Sequence, residues 1–360
     1  MDIRTRLSLI LVAVSLVSMA LLGSFAYITS ASLLQEISLR QLDALAESKK
    51  RDLNKVYGSW EDKLHLLRSR EKLRTSISEF VSNQNVESRQ ELEEVISIII
   101  AALPKIDKLT VRSLDGQEIA SGGQSKISYP FLPFHKDIRY VGTYLSDEGI
   151  RVVLSTGVEA KGVLVGGIDV VFDASEIIDV TSDYTGLGAS GEAMVIIRDA
   201  DLVKVLNPLR FASSDIPENM VGSPIGDMST AFELTRSLSG VSSKDYRGED
   251  VWYATRFLEE PRWGLVVKVD AREEAQRADE LREAIFDITF ALSAFAIVLG
   301  TMLGFYFTSP IRKLTEIVSR LQNGEKGLRA EVKGDDEIAY LSESLNLFLD
   351  QLEDEQGDNA

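Results

Sequence analysis

The chain of 360 residues contains no cysteine and only two histidines. Without cysteine there is no disulfide framework, no thiolate metal site and no cysteine nucleophile, and two histidines do not make a multi-histidine metal centre. We therefore expect neither a metal nor another cofactor. The formal net charge of −17 also excludes broad binding to nucleic acid, which requires clustered Lys and Arg.

Charged residues are also missing from two long apolar runs, Leu7 to Gln35 and Ile288 to Ile311. About 20 apolar residues in a helix cross the roughly 30 Å of bilayer hydrocarbon, so each run is long enough to be a transmembrane helix. The alternative for the first run is a cleaved signal peptide, because Arg4 and Arg6 precede it. The alternative for the second run is a buried core helix.

The basic residues beside the two runs predict the orientation of the chain. Arg4 and Arg6 precede the first run, and Arg312, Lys313 and Arg320 follow the second. Because basic residues accumulate on the cytoplasmic side, both termini are predicted to be cytoplasmic and the segment between the runs to be external.

The external segment begins with a helical pattern and continues with strand patterns. Apolar residues recur at three- and four-residue steps and predict one long amphipathic stalk helix. They are Leu42, Leu45, Leu53, Val56, Trp60, Leu64 and Leu67. A second helix is predicted around Glu91 to Leu103, before Pro104.

Short β-like runs separated by turn residues follow these helices and predict two similar α/β modules in tandem. The predicted strands of the first module are Leu109 to Arg112, which the turn Asp115-Gly116 follows, Arg151 to Thr156, and Val163 to Phe172. Within the last of these, Gly166-Gly167 indicates a bulge or a close approach to the backbone. The second is predicted from Ala193 to Arg198 with turn residues Asp199 and Asp201, an irregular stretch with Pro208, Pro217 and Pro224, and the pair Val251 to Phe257 and Trp263 to Val269. The expected fold class is α+β.

Three segments give the external region a resemblance to the double Cache sensor domain of bacterial receptors. They are Gly162 to Asp169 (GVLVGGID), Ser190 to Ala193 (SGEA) and Trp263 to Val267 (WGLVV), in this order. The resemblance implies a long stalk helix followed by two tandem PAS-like modules, in a multi-pass protein of the bacterial inner membrane. Amino-acid-binding members hold the ligand ammonium with an Asp and its carboxylate with an Arg. Only Asp169 matches that pattern here, so a different small molecule is expected.

Candidate ligand-binding residues lie in the first module. Asp169 is predicted to pair with a cationic or hydroxylated ligand, and the alternative is that it bonds nearby backbone amides. Arg151, Tyr140, Tyr144 and Tyr129 are further candidates, and the alternative for each is a solvated or packed side chain. The second module is interpreted as a spacer to the membrane.

The segment after the second run has the pattern of a four-helix bundle that forms from two copies of the chain. Two helices with apolar seams flank a connector from Asn323 to Asp336. The segment resembles a HAMP domain in Pro310 at the start of the first helix, Leu328 and Val332 in the connector, Asp336-Glu337 at the start of the second helix, and Asn346. The predicted relay residues are Pro310, Ile311, Leu314, Val318, Leu321, Leu328, Val332, Glu337, Ile338, Leu341 and Leu345. The alternative is a coiled-coil stub that serves only to dimerise.

These observations predict six segments. They are a cytoplasmic N-terminus (1–6), a first transmembrane helix (7–29), an external sensor (30–287), a second transmembrane helix (288–308), a HAMP domain (309–355) and a tail (356–360). The sensor is divided into the stalk helix (30–80), a membrane-distal module (85–180) and a membrane-proximal module (184–270).

The predicted function is a homodimeric membrane receptor, in contact with lipid, that senses an external small molecule and relays a conformational change to the HAMP domain. The cytoplasmic segment has no histidine and no nucleotide-binding glycine loop, and the residues after Leu352 leave no room for a catalytic domain, so we expect no enzyme activity. The resemblance implies that such sensors serve histidine kinases, chemotaxis receptors or diguanylate cyclases, or act on a separate cytoplasmic partner. The rival hypothesis is a membrane-anchored scaffold whose external modules bind a protein.

Overall fold

A computed structural model describes residues 3–146, 149–199, 202–211 and 238–357. The predicted turn residue Asp201 and the prolines Pro217 and Pro224 lie outside the described residues. The chain forms two compact units, one of Leu34–Arg277 and one of Met1–Leu33 with Ala278–Ala360. The helices are α1 (Ile3–Ser69), α2 (Glu71–Asn83), α3 (Val86–Ala102), α4 (Glu176–Ser182), α5 (Ala271–Gln322) and α6 (Glu337–Gly357).

The long stalk is confirmed as the second part of α1, which has 67 residues in all. At about 1.5 Å per residue α1 is roughly 100 Å long. The seven predicted apolar positions lie on the packed side of the stalk, and Leu53, Trp60 and Leu64 are completely buried. The helix ends before Arg70, which has an extended backbone, so the predicted stalk to residue 80 is two helices.

The first module, called here the distal module, contains a five-stranded antiparallel sheet. Its strands are β1 (Ile106–Arg112), β2 (Glu118–Gly123), β3 (Arg139–Ser146), β4 (Gly149–Ala160) and β5 (Val163–Asp173). They lie in the order β2-β1-β5-β4-β3. The hairpin predicted at Asp115-Gly116 joins β1 and β2, whereas β3 was not predicted as a strand.

The second module, called here the proximal module, repeats this topology. Its strands are β6 (Glu192–Asp199), β7 (Leu202–Val205), β8 (Leu238–Lys244), β9 (Asp250–Leu258) and β10 (Trp263–Asp270). Their order is β7-β6-β10-β9-β8, which matches the first sheet strand for strand. The prediction of two similar modules in tandem, and with it the α+β fold class, is confirmed.

One hydrophobic core joins the stalk to one face of each sheet, called here the inner face. Trp60 of the stalk stacks on Phe172 of β5 with ring centroids 6.0 Å apart, and meets Trp263 of β10 edge-on at 6.2 Å. Burying three such large rings removes much apolar surface from water. Trp60 therefore fixes both modules against one helix and leaves the opposite, outer face of each sheet for other roles.

The other unit contains the two candidate spans. Both α1 and α5 are long and apolar enough to cross a membrane. Large apolar side chains point away from the protein, with Phe25 69% and Phe290 78% exposed, as expected of surfaces in contact with lipid. The second span continues without a break to the end of α5 at Gln322.

The predicted start of the HAMP helix at Pro310 is therefore wrong, because Pro310 lies inside α5. Proline removes one hydrogen bond from a helix interior without necessarily ending the helix. The connector between α5 and α6 comprises residues 323–336, as predicted.

Candidate functional site

The outer face of the distal sheet carries a row of buried polar residues. Asp169 of β5 lies opposite Thr110 of β1 and Ser155 of β4. Because side chains alternate along a strand, these three point away from the core that contains Val170 and Phe172. All three are nearly completely buried. A polar row at this depth needs partners, since an unpaired buried polar group is costly.

Asp169 finds its main partner in Arg112, whose Nε lies 2.9 Å from Oδ2. The carboxylate is 4% exposed and the Arg112 side chain 19% exposed. Burial raises the pKa of Asp169, although hydrogen bonds from Ser155 and Arg112 act in the opposite direction. Arg112 also donates to the Gly116 carbonyl at 3.2 Å. Asp169 thus holds a desolvated charge that a single cation balances.

An aromatic cover lies over this row, from the connection between β2 and β3. The Tyr129 ring faces the Arg112 guanidinium, with its centroid at 5.9 Å, and the Tyr129 hydroxyl is 3.5 Å from Thr110 Oγ1. Phe134 lies directly on Gly167, where a Cβ atom would overlap the ring. The close approach anticipated at Gly166-Gly167 is therefore made by Phe134.

Arg151 and Tyr144 belong to the same outer face but to a different row. Arg151 lies opposite Asp173 and Tyr144. Its guanidinium pairs with Asp107 and lies 3.5 Å from Asp173. Asp173 is four residues from Asp169, or about 13 Å along the strand. The charge of Arg151 is thus paired with carboxylates at the far end of the face.

Tyr140, a candidate ligand-binding residue, lies on the inner face and not on the face that carries Asp169. It pairs with Leu154 and packs against the main core. Its hydroxyl is 2.7 Å from Thr143 Oγ1, which also accepts from Trp263 Nε1 at 3.0 Å. Burial raises the pKa of Tyr140 to about 12. The sheet backbone separates this side chain from the polar row.

The outer face of the proximal sheet also carries buried charges, which sequence reasoning missed. Lys268 of β10 is completely buried, and its Nζ pairs with Asp245 and lies 3.1 Å from Glu192 Oε2. The Tyr246 hydroxyl donates to the same Glu192 oxygen at 2.8 Å. Burial opposes ionisation of Asp245, but bonds from Lys268 and Arg247 outweigh it and lower the pKa of Asp245. These charges neutralise one another.

Three of the eleven predicted relay residues line a cavity of about 850 Å³ between the end of α5, the connector and α6. Pro310, Leu314 and Ile338 line it. Asn346 holds the connector in place, because its side chain accepts from Ala330 N at 2.7 Å and donates to Ala330 O at 2.8 Å.

The relay residues differ in exposure. Leu314 is buried, whereas Leu321, Leu328, Ile338 and Leu345 are half-buried and Ile311, Val318, Val332, Glu337 and Leu341 are exposed. Apolar residues that recur at seam spacing and remain exposed in one chain are typical of a bundle that requires a second copy. Among the residues that the structure describes, no group of three or more His, Asp or Glu could hold a metal.

Comparisons with known proteins agree with this organisation. Residues 302–354 match the HAMP domain family, which confirms the HAMP prediction. A comparison with curated protein sequences finds no match.

Solved structures similar to this chain include the sensory domain of the Campylobacter jejuni chemoreceptor Tlp3, with a TM-score of 0.48 at 12% identity over 68% of this chain and 98% of that chain. The same domain with isoleucine bound has a TM-score of 0.47 at 11% identity, over 68% of this chain and 97% of that chain. The extracellular domain of vpHK1S-Z8, described as a histidine kinase, has a TM-score of 0.46 at 11% identity, over 68% of this chain and 98% of that chain. At these identities and TM-scores no ligand or residue role carries over. Two candidate spans, two tandem α/β modules and a HAMP domain together make this chain a membrane signal-transduction receptor.

Proposed function

We propose that the receptor binds an extracytoplasmic small molecule at the outer face of the distal sheet, with Asp169 as the central contact. The single observation that carries this proposal is a buried carboxylate in a polar row beneath an aromatic cover. Protein interiors rarely bury a carboxylate without a functional or structural reason, and ligand sites commonly combine a few polar groups with apolar walls.

The chemistry of the face indicates the class of ligand. Asp169 accepts hydrogen bonds, Thr110 and Ser155 supply hydroxyls, and the Phe134 ring covers the glycine surface beside them. A small molecule with an ammonium or hydroxyl donor would compete with Arg112 for the carboxylate and displace Phe134 from Gly167. We propose Tyr129 and Arg112 as further contacts, and we place Arg151 and Tyr144 at the end of the site.

The output is proposed to be conformational. The helix α5 runs without interruption from the proximal module through the second span into the HAMP domain. A ligand that binds one arrangement of this helix more tightly than the other shifts the balance between them. We propose that the chain acts as a homodimer in the bacterial inner membrane with both termini cytoplasmic, within the segment boundaries predicted from the sequence, and that it signals to a cytoplasmic partner without catalysing a reaction itself.

A thermal-shift screen of the full chain in detergent, with amines, amino acids, carboxylates and purines, tests the proposal. A ligand at 100 times its dissociation constant adds about 2.7 kcal/mol of stability. We expect a shift that Asp169→Asn abolishes and that Asp62→Asn, an exposed carboxylate on the stalk, leaves intact. A shift that survives Asp169→Asn would move the site elsewhere. No shift with any compound would favour the scaffold hypothesis.

A further inference from the structure

The segment that joins the two modules holds the carboxylate of Glu273, which lies in the first turn of α5. Ser190 donates to Glu273 Oε2 twice, from its backbone nitrogen at 2.8 Å and from its hydroxyl at 2.5 Å. Ala189 N donates to Oε1 at 3.2 Å. The Ser190 hydroxyl also accepts from Asp270 N at 3.0 Å, immediately before the helix begins. Three donors from one short segment therefore surround a single carboxylate.

The backbone at Gly188 is adapted to this contact. Gly188 has φ +70°, a conformation that favours glycine, and a Cβ atom there would overlap the Glu273 carboxylate. Burial of Glu273 opposes its ionisation, but the hydrogen bonds from Ser190 and Ala189 outweigh this effect and lower the pKa of the carboxyl group. Glu273 is thus held as an anion chiefly by the segment, and Arg277 of its own helix also pairs with it at 3.4 Å.

The same segment is anchored at its other end to the distal module. The helix α4 follows the last strand of that module and ends at Ser182. Lys49 of the stalk donates to Val180 O at 2.9 Å and to Asp183 O at 2.6 Å, which ties the end of α4 to the stalk. Residues 183–190, called here the linker, follow α4 along the chain and include Ala189 and Ser190, which donate to Glu273. The linker thus connects the anchored end of α4 to the first turn of α5 through the bonds to Glu273.

The next residue of α5 has a different anchor. Glu274 accepts from Ser38 of the stalk at 2.6 Å and pairs with Arg277 at 2.6 Å. The first turn of α5 is therefore attached to the linker through Glu273 and to the stalk through Glu274. Movement of the linker along the stalk would act on one side of this turn only.

We propose that the linker couples the distal module to α5, with Glu273 as the positioning residue. Ser190 binds the Glu273 carboxylate, and Gly188 leaves room for it. This inference goes beyond the ligand proposal, because it holds for any displacement of the distal module. The competing route runs through the proximal sheet, since β10 continues directly into α5. If that route alone positioned α5, Glu273 would be dispensable.

Hydrogen–deuterium exchange of the full chain in lipid nanodiscs tests the inference without a ligand. Lys49→Met releases the end of α4, and Gly188→Ala displaces the carboxylate. Losing hydrogen bonds of this kind is expected to speed amide exchange in residues 271–277 by about tenfold. Gly162→Ala is the control, because Gly162 has φ +81° and nothing within 4 Å of its added Cβ. We expect it to leave residues 271–277 unchanged.

The decisive comparison is the double variant Lys49→Met/Glu273→Ala. If Glu273 carries the coupling, the double variant exchanges in residues 271–277 no faster than Glu273→Ala alone. Glu280 is an exposed glutamate on α5, and Glu280→Ala is expected not to remove the effect of Lys49→Met on exchange in these residues. Additive effects, or no effect of Lys49→Met, would overturn the inference. If Lys49→Met also alters exchange in the distal sheet, Gly188→Ala decides, and native exchange in residues 271–277 of that variant contradicts the inference.

Discussion

Replacing Arg112 with methionine removes the cation that balances Asp169 and tests how the polar row is stabilised. Breaking a buried ion pair costs about 3–5 kcal/mol because one charge remains unpaired. The carboxyl group can limit this cost by binding a proton. Protonation of a carboxyl with an unfolded pKa of about 3.9 costs roughly 5 kcal/mol at pH 7.5 but about 1.5 kcal/mol at pH 5. The loss of stability in Arg112→Met is therefore expected to be about 3–5 kcal/mol at pH 7.5 and at most about 1.5 kcal/mol at pH 5.

The direction of this pH dependence follows from the raised pKa of Asp169. A carboxyl whose folded pKa exceeds its unfolded pKa binds a proton on folding, so its unfavourable effect is absent below the unfolded pKa and grows as the pH rises through the folded pKa. Without Arg112 the pKa of Asp169 in the folded state rises further. The pH range over which the protein loses stability therefore extends to higher pH. Denaturant unfolding of the full chain in detergent, followed by near-UV circular dichroism at the two pH values, measures the effect.

Two variants make the test specific. In Arg112→Met/Asp169→Asn no charge is left buried, so most of the lost stability is expected to return. Lys136→Met removes an ion pair with Glu159 in which the Lys side chain is 71% exposed, and we expect it to leave the stability essentially unchanged at both pH values. Equal losses for Arg112→Met at pH 5 and pH 7.5, or a double variant no more stable than the single one, would refute the reasoning.

Three further outcomes are expected from the same unfolding measurement. Trp60→Ala should cost about 3–5 kcal/mol, because it empties the junction between the two modules, and a loss below 1 kcal/mol would contradict the shared core. Lys268→Met should cost about 3–5 kcal/mol at pH 7.5, because two carboxylates lose their buried cation, whereas a neutral effect would contradict the proximal ion network. Asn346→Ala should destabilise the HAMP segment by about 1–3 kcal/mol through two lost hydrogen bonds to the connector, and unchanged amide exchange at Ala330 would argue against this contact.

Hydrophobic periodicity accounts for the parts of the fold that could be predicted from the sequence. The two spans, the stalk and the cytoplasmic seams each repeat their apolar residues over many turns, so the pattern is strong. The connector was recognised from glycines that interrupt such a pattern. The strand β3 was missed because its residues from Arg139 to Ser146 include few large aliphatic side chains.

The candidate site was less predictable because it depends on strand register. Asp169 could be proposed from its place in the strand, but its partner Arg112 is 57 residues away and is brought to it by the pairing of β1 with β5. Tyr140 and Tyr144 are four residues apart and would share a face in a regular strand. A bulge between Tyr140 and Gly142 shifts the alternation, so the two tyrosines lie on opposite faces. Single-sequence periodicity does not reveal such a bulge.

The buried charges of the proximal module were missed for a related reason. Lys268 and Glu192 occupy largely apolar strands, and Asp245 lies in the turn between β8 and β9. Each residue alone resembles a solvated surface charge. Only the antiparallel pairing of β10 with β6, which places Lys268 opposite Glu192, brings them together away from water.

Disulfide formation at the HAMP seam measures whether a ligand at Asp169 changes the HAMP bundle. Because the chain has no cysteine, Val318→Cys introduces the only thiol, at a seam position that is 39% exposed. The rate of disulfide formation between two copies is measured in membranes with and without the compound that gives the largest thermal shift. We expect a change in rate that Asp169→Asn abolishes. An unchanged rate with a compound that demonstrably binds would contradict it.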